Sequence, residues 1–304
     1  MKRRMSVAPG RSLFGAAFFL MLIPGVFGAQ DISQIKVTID KVADRVFMIT
    51  GAGGNIGVLT GPDGIVLVDS QFGQIHDKVA AAVASVDKGP VRFVLNTNWH
   101  YDHALGNEAF HKAGAVIIAQ ENGAARMTRD QIHEVIDGKT EAYPAAARPE
   151  VTFSEALTLR LDGEEVEALH FSNAHSDTDA LYHFKKANVV HTGDLLFSAG
   201  YPYIDIGNGG SINGMIAAAD RILAMTNEAT KFIPGHGPLA DRVRLAAYRA
   251  MLAGIRDGVK KLIAEGKSEA EAVAAKPTAA FDQDWKYGMS PAQFTMLVYR
   301  SLKR

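Results

Sequence analysis

Residues 96–107 read NTNWHYDHALGN, and they follow directly on VRFVL, an apolar run with the composition of a buried strand. Three side chains able to hold a metal ion, His100, Asp102 and His103, fall within four positions, and Asn98 stands two before the first. Imidazole nitrogen and carboxylate oxygen are preferred zinc donors, at about 2.0–2.2 Å. The amide oxygen of asparagine is neutral and a poorer donor beside them. The stretch therefore predicts a metal-binding loop with one weak corner.

Working outward, three further segments place a metal-capable residue just beyond a β-rich run. His175 lies in SNAHSDTD after VEALHF, Asp194 ends VVHTGD, and His236 sits in FIPGHGP. Loops that leave strands along one edge of a sheet are where ligands gather. The chain contains no cysteine, so any ion here is held by nitrogen and oxygen, and no disulfide can form.

Around these segments, RVFMIT, NIGVLTG and GIVLVDS read as strands, the last two joined by the tight-turn signal GPDG. QIHDKVAAAVASVDKG has helical spacing and is expected to end at Gly89; ENGAARMTRDQIHEVI, residues 121–136, also reads as a helix, with residues 138–150 a loop. The second half repeats the order, with strands in ALTLRLDGEEVEALHFS, DALYHFKKANVVHTGD and TKFIPGHG. Its helices are SINGMIAAADRILAM, LADRVRLAAYRAMLAGIRDGVKKLIAEG and a last one capped by Ser290 with Pro291 at its first position. Two halves of strands and helices suggest sheets covered by helices on their outer faces. No linker divides residues 30–304, which are expected to form a single domain with C-terminal helices.

The first 29 residues have a basic head, Lys2, Arg3 and Arg4, then an apolar stretch from Leu13 to Phe27, then small residues. This is the layout of a cleaved secretory signal peptide, and it predicts a periplasmic or secreted protein. The apolar stretch is broken by Pro24 and Gly25, so no stable membrane anchor is expected after cleavage. The net charge of −1 would become −5 on loss of four basic and no acidic residues, which gives no sign of a nucleic-acid partner. The expected partner is a small-molecule substrate; the oligomeric state is not specified by the sequence.

The four segments, in this order, resemble the metallo-β-lactamase superfamily, from about Arg45 to Pro238. The family's first motif is His-x-His-x-Asp-His, and here it reads Asn98-Trp99-His100-Tyr101-Asp102-His103. The resemblance implies an α/β fold, the four-layer αβ/βα sandwich, with one or two zinc ions at one edge. It assigns His100 and His175 to the first ion, with Asn98 where that ion's missing histidine would stand, either as a weak ligand or as a hydrogen-bonding residue of the loop or of the attacking water. It assigns Asp102, His103 and His236 to the second ion and Asp194 to the position between them. A metal-bound hydroxide would then open a carbonyl–heteroatom bond, and Asp102 could orient the attacking water. Tyr201, Tyr203 and Asn208, in GYPYIDIGNGGS at residues 200–211, are candidates to line the substrate pocket.

Two departures from the family bear on substrate. Asparagine at the first position is shared with a mono-zinc carbapenemase subclass, whereas aspartate at 194 looks like the glyoxalase II, lactonase and phosphodiesterase branches. The lysine that many β-lactamases carry three residues past the bridging position is Phe197. The resemblance thus implies an exported zinc hydrolase with β-lactams a leading candidate substrate. The alternatives are a lactone or thioester hydrolase resembling glyoxalase II, a non-catalytic metal-binding protein, or a di-iron redox protein, which the missing extra carboxylate and flavin module disfavour. Of the remaining histidines, His76 and His133 are expected on helix surfaces, His111 at a helix end, His170 and His183 in strands, and His191 as a hydrogen-bonded core residue.

Overall fold

The computed structural model describes residues 32–133 and 138–304; the signal peptide expected at residues 1–29 lies outside them. Strands β1 (Thr38–Ala43), β2 (Val46–Thr50), β3 (Ile56–Leu59) and β4 (Ile65–Val68) form an antiparallel meander. Helix α1 (His76–Ala84) crosses over so that β5 (Val91–Leu95) lies parallel to β4. The short helices α2 (Tyr101–Ala104) and α3 (Asn107–Lys112) lead to β6 (Val116–Gln120), also parallel. After α4 (Glu121–Arg126) comes a small hairpin, β7 (Gln131–His133) and β8 (Gly138–Thr140), and then β9 (Val151–Phe153) completes a seven-stranded sheet ordered β1-β2-β3-β4-β5-β6-β9.

The second sheet has six strands. β10 (Ala156–Leu161), β11 (Glu164–Phe171), β12 (Asp179–Phe184) and β13 (Val189–Phe197) are antiparallel neighbours. The chain then forms the short β14 (Gly200–Tyr201) and helix α5 (Ile212–Met225) before β15 (Lys231–His236) pairs in parallel with β13 and β16 (Ala240–Asp241) closes the edge. Helices α6 (Arg242–Ala264), α7 (Glu269–Ala274) and α8 (Pro291–Lys303) finish the chain. Just before α8, β17 (Tyr287–Gly288) pairs with β14. No helix among the described residues is long and apolar enough to cross a membrane.

The four layers follow from residue alternation. In β4 every side chain of IVLV is buried, because Ile65 and Leu67 face α1 and α3 while Val66 and Val68 face the other sheet. In β12, Ala180 and Tyr182 likewise face the first sheet while Leu181 faces α5 and α6. The apolar stripe of α6, including Leu245, Tyr248, Leu252 and Ile255, is buried against its own sheet. This is the αβ/βα sandwich expected from the sequence.

Two helix expectations need correction. α1 ends at Ala84, and Gly89 lies in the loop beyond, where its N–H binds the Asp87 carboxylate. The helix expected over 121–136 stops at Arg126. Beyond it, Gln131 and His133 turn inward while Ile132 points out, the two-residue alternation of a strand. Asp130 anchors the change of direction by accepting from Ala142 N–H and pairing with Lys139. Residues 138–150, read as a loop, supply β8 and a turn of 3-10 helix at Ala145–Ala147.

Candidate metal centre

The stretch leaving β5 places His100 in an extended conformation at the N-terminus of α2, so Asp102 and His103 sit in that helix's first turn. His103 is fully buried. Its Nδ1 lies 2.7 Å from the Asp69 carboxylate, which also accepts from Thr97 N–H and Thr97 Oγ1, each at 2.7 Å. Asp69 follows β4 in a left-handed conformation (φ 69°), which turns its carboxylate under the ligand loop. The loop between β2 and β3 closes over the other side. A Cβ on Gly54 would come within 2.2 Å of the His103 ring, so only glycine allows the approach.

The second sheet supplies the rest. His175, in the loop between β11 and β12, has its Nδ1 3.0 Å from Asp179, whose carboxylate also accepts from Ser176 N–H and Ser176 Oγ. Asp194 lies within β13 rather than at its end, beside a break in the pairing register with β15, and His236 ends β15. His103 Nε2 and His175 Nε2 approach Asp194 Oδ2 at 3.2 and 3.5 Å, and His236 Nε2 is 3.3 Å from both Asp194 Oδ1 and Asp102 Oδ2. Two metal-capable triads result, His100–His175–Asp194 and Asp102–His103–His236, with Asp194 between them.

Three buried polar atoms at this centre, His103 Nε2, His175 Nε2 and Asp194 Oδ1, have no hydrogen-bond partner. Leaving such atoms unsatisfied costs about 1–3 kcal/mol each. In both histidines the outer nitrogen is fixed by a carboxylate and the inner one presents its lone pair, the arrangement of metal-ligating imidazoles. The residues present therefore fit one or two divalent ions of the kind that take nitrogen and oxygen donors, zinc among them.

The charges are mutually dependent. Burial would raise Asp102, but the positive charge of His103 and the hydrogen bond from His236 outweigh it and hold the carboxyl at about 2. Burial would lower His236, yet Asp194 and Asp102 push it up to about 9. His103 is likewise held well above the ordinary imidazole range, against burial, chiefly by Asp194 and Asp102. An arriving cation displaces those protons.

Among the donors expected from the sequence, the structure brings His100, His175, Asp102, His103, Asp194 and His236 together. Asn98 joins them through hydrogen bonds. Its Oδ1 accepts from His100 N–H at 2.9 Å, and its Nδ2 donates to Asp194 Oδ2 at 3.2 Å. Reversing the amide would set NH2 against an N–H donor and oxygen against a carboxylate, so the chemistry fixes the orientation. Asn98 thus acts here as a hydrogen-bond donor that steadies Asp194, the second of the two roles expected of it. Tyr201 is corrected. Fully buried, it stacks its ring on Phe294 in the core and its hydroxyl donates to Asp282, so it lines no pocket. Tyr203 packs its ring about 6 Å from those of His100 and His175, and Asn208 holds the Asp205 carboxylate through Nδ2.

Sequence reasoning missed four residues. Asp69, Asp179 and Asp205 each hold the outer nitrogen of a donor histidine, Asp205 lying 3.0 Å from His100 Nε2. His133, expected on a helix surface, is buried beside His100 and stacked on Trp99 with the planes 7° apart. Burial and the neighbouring His100 push its pKa down to about 4. His191 is the hydrogen-bonded core residue expected, bound to Asn55 O and Gly193 N–H.

A hydroxyacylglutathione hydrolase of Polaromonas sp. (strain JS666) is 29% identical over 196 residues, which are 60% of this chain and 65% of the relative. The aligned region thus spans somewhat under two-thirds of that relative's length. Among solved structures, a metallo-β-lactamase from Pontibacter korlensis is similar at a TM-score of 0.59 and 19% identity, over 71% of this chain and 99% of that one. The sec-alkylsulfatase Pisa1 from Pseudomonas sp. is similar at 0.65 and 18%, over 87% of this chain and 50% of that one. Both structures share the fold. The profile of the metallo-β-lactamase superfamily matches residues 49–243, which include every donor named above, and the chain belongs to that superfamily.

Proposed function

We propose that the protein is a metal-dependent hydrolase that opens a carbonyl–heteroatom bond in a small ester, thioester or lactone. The observation that carries this reading is the convergence of six nitrogen and oxygen donors, three of their buried atoms lacking partners, on one edge of the sandwich. Zinc bound there would supply Lewis acidity, polarising the carbonyl and acidifying water to a pKa of about 7. His100, His175 and Asp194 would hold one ion, and Asp102, His103 and His236 the other. Asp69 and Asp179 keep His103 and His175 in the tautomer that presents Nε2 inward. Asp102, ionised and 18% exposed at its side chain, accepts a hydrogen bond from the attacking water and aligns it.

Phe197 supports the choice of substrate class. Its ring stacks on His236 at 4.8 Å, where a substrate carboxylate would meet an apolar face rather than a lysine. The hydroxyacylglutathione hydrolase relative agrees with thioesters. A β-lactam substrate is the second reading, favoured by the leader-like first 29 residues, which support export to the compartment where β-lactams act.

The test is a panel of thioester, lactone, aryl ester and nitrocefin with zinc-loaded protein, with and without chelator. Chelator-sensitive turnover fastest on a thioester, lactone or ester is expected. Nitrocefin as the fastest substrate would favour the second reading, and no chelator-sensitive turnover on any of them would defeat both.

A further inference from the structure

Beside the two triads lies a third group, His100, His133 and Asp205, whose donor atoms fall within 4.8 Å of one another. It shares only His100 with the centre described above. All three residues are buried, with Asp205 fully so.

Several features mark this group as a binding site. His133 Nδ1 is a buried atom with no hydrogen-bond partner; the Asp205 Oδ2 it faces is 3.8 Å away, too far for a hydrogen bond. Two donors held by one zinc at about 2.0–2.1 Å stand a little over 3 Å apart, so the gap is one that an ion closes with small movements. The ring is held as a ligand's ring is held. Its Nε2 bonds Thr140 Oγ1 at 2.8 Å, and Trp99 stacks flat against one face. The Asp205 carboxylate is fixed by Asn208 Nδ2 at 3.0 and 2.9 Å, and Asn208 in turn is held by Arg126. Asp205 Oδ2 is already 3.0 Å from His100 Nε2.

We propose that His100, His133 and Asp205 form a cation site of their own, taking a zinc-like divalent ion through two imidazoles and one carboxylate. Neutral His100 has one lone pair, so its tautomer allots it. With the proton on Nε2, His100 is hydrogen-bonded to Asp205 and serves the His175–Asp194 triad. With the proton on Nδ1, Nε2 serves His133 and Asp205. Asn98 contributes no lone pair to the first arrangement, which leaves each position three protein donors and makes the second competitive. The hairpin carrying His133 thus supplies an imidazole that the first motif lacks. The proposal rests on the reading of the neighbouring centre as metal-binding, but its test counts ions and does not depend on turnover.

Metal-stripped full-length protein is equilibrated with buffered zinc, and bound zinc is measured for wild type, His175→Gln and the double variant His133→Gln/His175→Gln, because with His175 present His100 can pass its ion to the neighbouring triad. We expect His175→Gln to retain the ion held at His133, and the double variant to lose it, or to bind it about 10- to 100-fold more weakly. Unchanged zinc content and affinity in the double variant relative to His175→Gln overturns the proposal. Should the double variant not fold, imidazole nitrogen resonances of the wild type give the answer. A His133 Nδ1 signal that moves to the metal-bound position on zinc addition supports the site, and one that stays in place overturns it. Failure of the hydrolysis panel with zinc still bound at His133 would defeat the functional reading alone.

Discussion

Asn98 shows how one side chain changes role without leaving its place. Its Nδ2 points at Asp194, so Asn98→Asp would set two carboxylates face to face. We expect the metal-free variant to lose about 1–3 kcal/mol of stability, read by calorimetry. Asn98→His would restore a lone pair toward the first ion, and zinc should bind there more tightly than in wild type; equal affinity in a competition titration would contradict this. Titration of the same cluster sets the pH dependence of the metal-free protein. His236 is raised from 6.5 to about 9, so its contribution is complete below pH 6.5 and lost as pH climbs through 9. Asp102 is lowered from 3.8 to about 2, so its share is complete above pH 3.8 and lost as pH falls through 2. The Tm of stripped protein should therefore plateau between about pH 4 and 6.5, and the gain on adding zinc should widen from pH 6.5 toward 9. Six donors were legible in the sequence because histidines and aspartates cluster after apolar runs. The aspartates behind them were not, since Asp69, Asp179 and Asp205 look like ordinary turn residues until the chain folds.

Among the elements, β15 leaves no room for a side chain where it passes the centre. Gly235 lies against Asp194, and a Cβ there would come within 2.2 Å of Asp194 Oδ1 and 2.7 Å of the Gly193 backbone. Gly235→Ala should displace the carboxylate and weaken zinc binding by about 10- to 100-fold, measured by competition with a chelating dye. The β7–β8 hairpin is where sequence reading failed. Residues 121–136 carry good helix formers, and the helix begins as expected. Local propensity then yields to tertiary contacts, as Gln131 bonds back to Arg126 and His133 finds Trp99. The C-terminal helix was legible down to its cap, because Ser290 and Gln293 form a reciprocal pair that depends on three-residue spacing alone.

Across the whole molecule, the first sheet contributes His100, Asp102 and His103 and the second contributes His175, Asp194 and His236, so an ion at this edge ties the two sheets together. Zinc at about a thousand times its Kd should add about 4 kcal/mol to stability. Chelation should therefore lower Tm by on the order of 10 °C, and a scan showing no shift would mean the ions lie elsewhere. The layered architecture was readable because continuous apolar runs require cover on both faces, as β4 shows. The pairing of β14 with β17, which brings the C-terminal segment back beside Phe197 and His236, left no mark in composition or periodicity.

The absence of sulfur from the donor set has a further consequence. Imidazole and carboxylate accept most first-row divalent ions, in an order set more by the ion than by the protein. The metal recovered from the protein should follow what the growth medium supplies, and exchange of one ion for another should alter its rate long before it alters its shape.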